Sequence, residues 1–140
     1  MKFDDIKKLH QKKYREEFGY FLVEGEHLVL ELQKAAFDAA QPQHTQLQRS
    51  ELYVTATYEN WQGPFRTHVI NARQMAQISD TKTPPGIIAL VPIPVAATEQ
   101  INSAVVKNER AIYLHEIQDP GNLGTILRTL AWFGSFRCLL

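Results

Sequence analysis

The chain has 140 residues, 44% of them hydrophobic and 21% charged, proportions ordinary for a soluble globular protein. Fifteen Lys and Arg balance fifteen Asp and Glu, so the net charge is zero and there is no global electrostatic footprint for nucleic acid. A charged N-terminus is unlike a secretory signal, and no apolar run approaches the ~20 residues that span a bilayer, so a cytoplasmic protein with no membrane partner is expected. In chain order, Phe3 to Tyr14 lacks Gly and Pro and predicts one helix. Six of the fifteen basic residues fall in the first fifteen positions. Lys8, Lys12 and Arg15 recur at i, i+4 and i+7, with Lys7 and Lys13 beside them. Such a basic edge is either a solvated helix face or a phosphate contact for RNA, and on composition the solvated face is the simpler account.

Tyr20-Phe21-Leu22-Val23 predicts a strand ended by Glu24-Gly25-Glu26, and His27 to Ala36 a helix with Leu28, Leu32 and Ala35 or Ala36 on its buried side. Gln41 to Ser50 is Gln-rich and predicts a polar loop. His44 has no partner at metal-ligand spacing, and no metal is expected. Glu51 to Thr55 is a strand, Ala56 to Gln62 a short helix or turn ending at Gly63-Pro64, and Phe65 to Ile70 a strand. Asn71 is the N-cap of a short helix through Ile78. Tyr53, Trp61 and Phe65 suit a core better than a stacking platform. Ser79 to Gly86 is turn-rich and precedes a buried strand, Ile87 to Val91. Lys82 in that loop is either an RNA contact or a solvated side chain. Pro92 to Asn108 is a linker with room for a helical turn over 98–106.

The last segment is a strand, a polar turn and a helix. Ala111 to Ile117 is short and apolar-rich, and Asp119-Pro120-Gly121-Asn122 has turn chemistry. Leu123, Ile126, Leu127 and Leu130 make a helical stripe that stops at Gly134. Asn122 would then sit at the helix entrance as a cap, at an end that favours anionic ligands. Arg128, one position past Leu127, leans off the core stripe. A turn at the carboxyl end of a strand is where open α/β sheets place ligands. On periodicity alone a salt-bridge arginine serving Asp119 or Glu116 is the simpler account of Arg128. Trp132 shares its face and would either pack a cation or meet a second subunit. His115 and Glu116 are accounted for as strand residues. Phe136 to Leu140 opens a second strand around Cys138, which has no internal disulfide partner and is expected to be buried as an inert thiol.

The run Gln118-Asp119-Pro120-Gly121-Asn122-Leu123-Gly124-Thr125-Ile126-Leu127-Arg128-Thr129, with Phe133-Gly134, resembles the first motif of the SpoU-type (TrmH-like) RNA 2′-O-ribose methyltransferases of the SPOUT superfamily. Lys12-Lys13-Tyr14-Arg15 with Phe21-Leu22-Val23-Glu24-Gly25 resembles the opening of the substrate-binding domain that precedes the catalytic domain in many of these enzymes. Thr83-Pro84-Pro85-Gly86-Ile87 is similar to the close of that domain. The resemblance implies a small ribosomal-protein-like α/β/α sandwich over residues 1–92, an RNA substrate-binding domain. A linker over 93–108 would lead into the truncated start, strand-helix-strand over 109–140, of a parallel-sheet methyltransferase domain. So short a piece cannot bury its own core, and the chain is expected to stop inside that second domain.

The implied activity of the parent protein is transfer of a methyl group from S-adenosylmethionine to a ribose 2′-hydroxyl of RNA, by analogy ribosomal RNA, in a homodimer. The resemblance gives Arg128 the role of activating the hydroxyl and Asn122 that of positioning substrate, and it turns Lys8, Lys12, Lys13 and Arg15 toward RNA contact. Arginine keeps its proton at neutral pH and is a poor general base. Stabilising a nascent alkoxide, or fixing the adjacent phosphate, suits it better, and the proton acceptor stays open. The later motifs that hold the donor are absent, so no cofactor is expected on this chain and the 140 residues alone are expected to be inactive. A non-catalytic RNA-binding α/β module is the alternative. A nucleotide phosphate loop at Gly121 to Gly124 lacks the GxGxxG spacing and the acidic residue on the next strand.

Overall fold

The computed structural model describes residues 1–37, 42–93, 110–134 and 136–139, and the chain divides into two compact units, Met1–Val95 and Ala96–Leu140. In the first unit the strands β1 (Tyr20–Glu24), β2 (Glu51–Val54), β3 (Arg66–Val69) and β4 (Ile87–Pro92) form one sheet in the order β1-β4-β2-β3. β4 runs antiparallel to both neighbours, and β2 pairs with β3 in parallel. Every residue of β4 is buried, which marks it as a central strand covered on both faces.

Two-residue alternation sorts the sheet into two cores. Ile87, Ala89 and Val91 of β4 join Leu52 and Val54 of β2 on one face, against Val29 and Ala36 of α3 (Glu26–Ala36). Ile88, Leu90 and Tyr53 face the other way, against Ile6, Leu9, Met75 and Ile78. Those residues come from α1 (Phe3–Ile6), the 3₁₀ turn Lys7–His10 and α4 (Ala72–Ile78). The result is the α/β/α sandwich the sequence implied. Tyr53 and Phe65 are buried and Trp61 packs on the core edge, as expected. Asn71 caps α4 in a reciprocal capping box with Gln74.

Four local expectations change. Phe3 to Tyr14 is not one helix: Gln11 is extended (φ −95°, ψ 133°) between the 3₁₀ turn and α2 (Lys12–Phe18). Phe3, Ile6 and Leu9 recur every three residues, the 3₁₀ period, and the next apolar position, Tyr14, lies off that stripe. On α3 the buried stripe is Val29, Leu32 and Ala36, while Leu28 is 53% exposed. Gly25, at φ 97°, starts α3 one residue early, a conformation that β-carbon-bearing residues resist. That start lets Val29 donate to Gly25 O and turns the helix accordingly. Lastly, Pro42–Arg49 is a run of 3₁₀ helix, not a loop. It is tied down by Gln48 donating to Ala36 O and by Leu47 on the core.

The second unit comprises β5 (Arg110–Tyr113), α5 (Pro120–Phe133) and β6 (Phe136–Leu139), with β5 and β6 parallel. It is the strand-helix-strand unit read from the sequence, with β5 four residues long where a strand to Ile117 was expected. Among its described residues none is fully buried, and Cys138 is half-buried, not buried. Gly134 ends α5 at φ 62°, its N–H donating to Leu130 O. Apart from Ile93, the linker and its helical turn over 98–106 lie outside the described residues.

Candidate functional site

α5 begins three residues earlier than its apolar stripe indicates. Pro120, whose ring presets helical φ and whose missing N–H costs nothing there, occupies the first helical position. The N-cap is therefore Asp119, which accepts from Gly121 N at 2.9 Å. Asn122 is displaced from the expected cap into the first turn, exposed. The Asp119 carboxylate lies where an anion would otherwise be drawn to the helix end, which disfavours an anionic ligand at that point. The turn before it carries Glu116 at φ 55°, a conformation uncommon for residues with a β-carbon.

Arg128 is exposed, and among the described residues neither Asp119 nor Glu116 pairs with it. Its Nη2 donates to Thr125 Oγ1 at 3.3 Å. Thr125 and Thr129 each turn their hydroxyls onto the carbonyl four residues back, at 2.9 Å, which leaves the guanidinium the one charged group on this face. With Trp132 and Phe133 these residues line an open concavity of about 380 Å³. Trp132 is 90% exposed, and the cation–π contacts among the described residues lie in the N-terminal segment, not here. Asn122 does not line the concavity. Six residues separate it from Arg128, about 120° around the axis at roughly 100° per residue. The two predicted catalytic positions thus share a helix and both face solvent, on different sides.

In the first unit the break at Gln11 divides the expected basic edge. Lys8 is paired with Asp5 at 2.8 Å, a hydrogen bond that, with the carboxylate charge, holds its ammonium above the ordinary lysine range. It also lies over the Tyr14 and Phe18 rings. Arg15 turns inward and donates from Nη1 to Leu9 O (3.0 Å) and His10 O (2.8 Å). Those carbonyls end the 3₁₀ turn and would otherwise lack helical partners. Lys12 and Lys13 remain on the surface, Lys12 in a 3.6 Å pair with Glu16 and Lys13 over the Tyr14 ring. Sequence reasoning missed Asp119 as the cap, although an acidic residue directly before a proline was the available sign. It also gave Glu24 no role. Glu24 accepts from Ser79 Oγ (2.7 Å) and Asp80 N (2.8 Å), clasping the end of β1 to the loop after α4.

The concavity beside Arg128 is an open helix face. Among the described residues there is no cluster of His, Cys, Asp and Glu suited to a metal ion, and no helix long and apolar enough to cross a membrane.

The sandwich followed by strand, turn and helix is an architecture shared with SpoU/TrmH-type RNA methyltransferases. One structural neighbour, a protein of Porphyromonas gingivalis assigned to the TrmH family of RNA methyltransferases, matches 94% of this chain and 47% of its own. The TM-score is 0.64 and the identity 27%. The AdoMet-bound SpoU methyltransferase AviRb of Streptomyces viridochromogenes shares the fold at a TM-score of 0.63 and 17% identity, over 97% of this chain and 51% of its own. Residues 2–89 match the MRM3-like substrate binding domain, and the chain belongs to that family. In sequence it is 31% identical over 128 residues to the 23S rRNA (guanosine(2553)-2′-O)-methyltransferase RlmP of Bacillus subtilis, covering 91% of this chain and 46% of that protein. The chain spans about half the length of the curated relatives it matches.

Proposed function

We propose that this chain is the N-terminal portion of an S-adenosylmethionine-dependent RNA 2′-O-ribose methyltransferase that acts on ribosomal RNA. In this reading residues 1–92 bind the RNA substrate, 93–108 connect, and 109–140 begin the methyltransferase domain. The observation that carries it is Arg128: an arginine in a methyltransferase-like motif, on a solvent-facing helix side, with a hydroxyl and no carboxylate as its partner among the described residues. A structural arginine would be expected to pair with the nearby acids.

Its guanidinium stays charged at neutral pH and carries a planar fork of donors. It suits the stabilisation of charge growing on a ribose 2′-oxygen, or the holding of the adjacent phosphate in register. Asn122 supports substrate position from the helix entrance. Lys12 and Lys13 supply the phosphate contacts expected of the N-terminal segment, with Lys8 and Arg15 behind them. The methyl donor belongs to the full-length parent, which we place in the cytoplasm as a homodimer.

The experiment is Arg128→Ala in the full-length parent, with methyl transfer from labelled donor and RNA affinity measured side by side. Loss of transfer with RNA affinity nearly intact is expected. Undiminished transfer would leave only the RNA-binding half of the reading.

A further inference from the structure

A second cavity, of about 250 Å³, lies in the first unit beside β1. Residues of the KKxR and FLVEG-like runs meet there: Arg15, Phe21, Leu22 and Glu24, joined by Leu9, His10 and Asp80. Their arrangement is specific. Arg15 spends two of its five N–H groups on Leu9 O and His10 O, which leaves three. Glu24, with one oxygen on Ser79 Oγ and the other on Asp80 N, fixes the loop that brings Asp80 to the cavity. The Asp80 carboxylate is 85% exposed, with His10 Nδ1 at 3.9 Å from one of its oxygens. Leu9 and Leu22 contribute apolar wall.

The chemistry of the walls narrows the occupant. Two carboxylates beside one arginine repel a phosphate, so this is not an anion site and not a contact for an RNA backbone. The walls are too polar for a purely aliphatic ligand. The volume is below the roughly 300–1,000 Å³ of pockets for drug-sized ligands, which leaves room for one flat heterocycle. Such a ligand must present acceptors on one edge for arginine and donors on another for a carboxylate. Guanine does: O6 and N7 match an arginine fork, and N1–H with N2–H₂ matches a carboxylate.

We propose that this cavity takes a single unpaired nucleobase with guanine's donor and acceptor pattern, read by Arg15 on its O6/N7 edge and by Asp80 on its N1/N2 edge. The proposal rests on the reading of the first unit as RNA-binding and adds to it a base-selective subsite. It also gives the glutamate of the FLVEG-like run a positioning role, since Glu24 holds Asp80 in place.

The test is a titration of the ¹⁵N-labelled 140-residue chain, followed by amide shifts. Guanosine 5′-monophosphate, adenosine 5′-monophosphate and ribose 5-phosphate are the probes, matched in phosphate. Saturable shifts at Leu9, Leu22 and Asp80 with the guanine nucleotide alone are expected. Asp80→Asn, at an exposed side chain outside the core, should weaken them about tenfold, the loss of one bidentate match. Equal response to all three probes, no response to any, or an unchanged response in Asp80→Asn overturns the proposal. Binding of single-stranded RNA by the same chain is read separately. Failure there with the nucleotide result intact removes the RNA reading and keeps the subsite, and the opposite pair of results removes the subsite alone.

Discussion

Arg15→Ala tests whether this arginine is a structural clasp. The side chain donates to two carbonyls at 3.0 and 2.8 Å in a part-buried position. Hydrogen bonds to a charged group contribute about 1.5–3 kcal/mol each. Both carbonyls can turn to water once the guanidinium is gone, so the low end applies and the pair shares its geometry. A loss of about 2 kcal/mol follows, a large share of a small domain's stability. At a urea slope of about 2 kcal/mol/M, that moves the unfolding midpoint down by about 1 M. Tryptophan fluorescence is the assay. Trp61 packs on the core of the first unit, whereas Trp132 is 90% exposed already and changes little on unfolding. A midpoint unmoved in Arg15→Ala would refute the clasp and return Arg15 to the surface edge.

Other outcomes follow from the same geometry. Replacing Lys12 and Lys13 together by Ala should weaken RNA binding for every sequence and flatten its salt dependence by a slope of about 1.4, at roughly 0.7 per phosphate on single strands. Asn71→Ala removes the capping box of α4 and should cost about 1 kcal/mol, read as a midpoint about 0.5 M lower in urea. Lys34 donates to Glu31 at 2.7 Å, and that hydrogen bond, with the ammonium charge, holds the Glu31 carboxyl below the ordinary glutamate range. Because the folded value is depressed, any stability from the pair is present above the unfolded value and is lost as pH falls through the folded one. Carboxyl NMR should show the low midpoint, and Lys34→Ala should return it to the ordinary range.

The sandwich was legible because its signals are local and repeat. The five apolar residues Ile87 to Val91 read as a buried strand, and Asn71 reads as the N-cap of a short helix. What escaped notice depended on backbone conformation that no periodicity encodes. The stretch Phe3 to Tyr14 has no breaker residue, yet Gln11 is extended, and Leu9 and Phe18 reach the same core from either side of that break. The α3 stripe was misplaced for a related reason. Leu28 is the more hydrophobic-looking choice, but a helix that begins at Glu26 directs Val29 inward.

At the candidate site the motif was legible and its geometry was not. Asn122 was given the cap because the apolar stripe starts at Leu123, but helices begin where their first free N–H groups are satisfied, not where their buried face begins. Asp119 and Pro120 meet that need three residues sooner. The shift has a consequence for chemistry: with Asp119 engaged by Gly121 N and Thr125 offering only a neutral hydroxyl, Arg128 keeps its charge unpaired among the described residues. An unneutralised guanidinium on an open face is suited to a substrate that brings its own negative charge, and a ribose flanked by phosphates is such a substrate. Thr125→Val makes the point testable in the full-length parent. It removes the hydroxyl that steadies Arg128 at 3.3 Å and leaves the charge, so it should lower methyl transfer several-fold without the abolition expected for Arg128→Ala. Equal loss in the two variants would mean that Thr125 itself contacts the substrate.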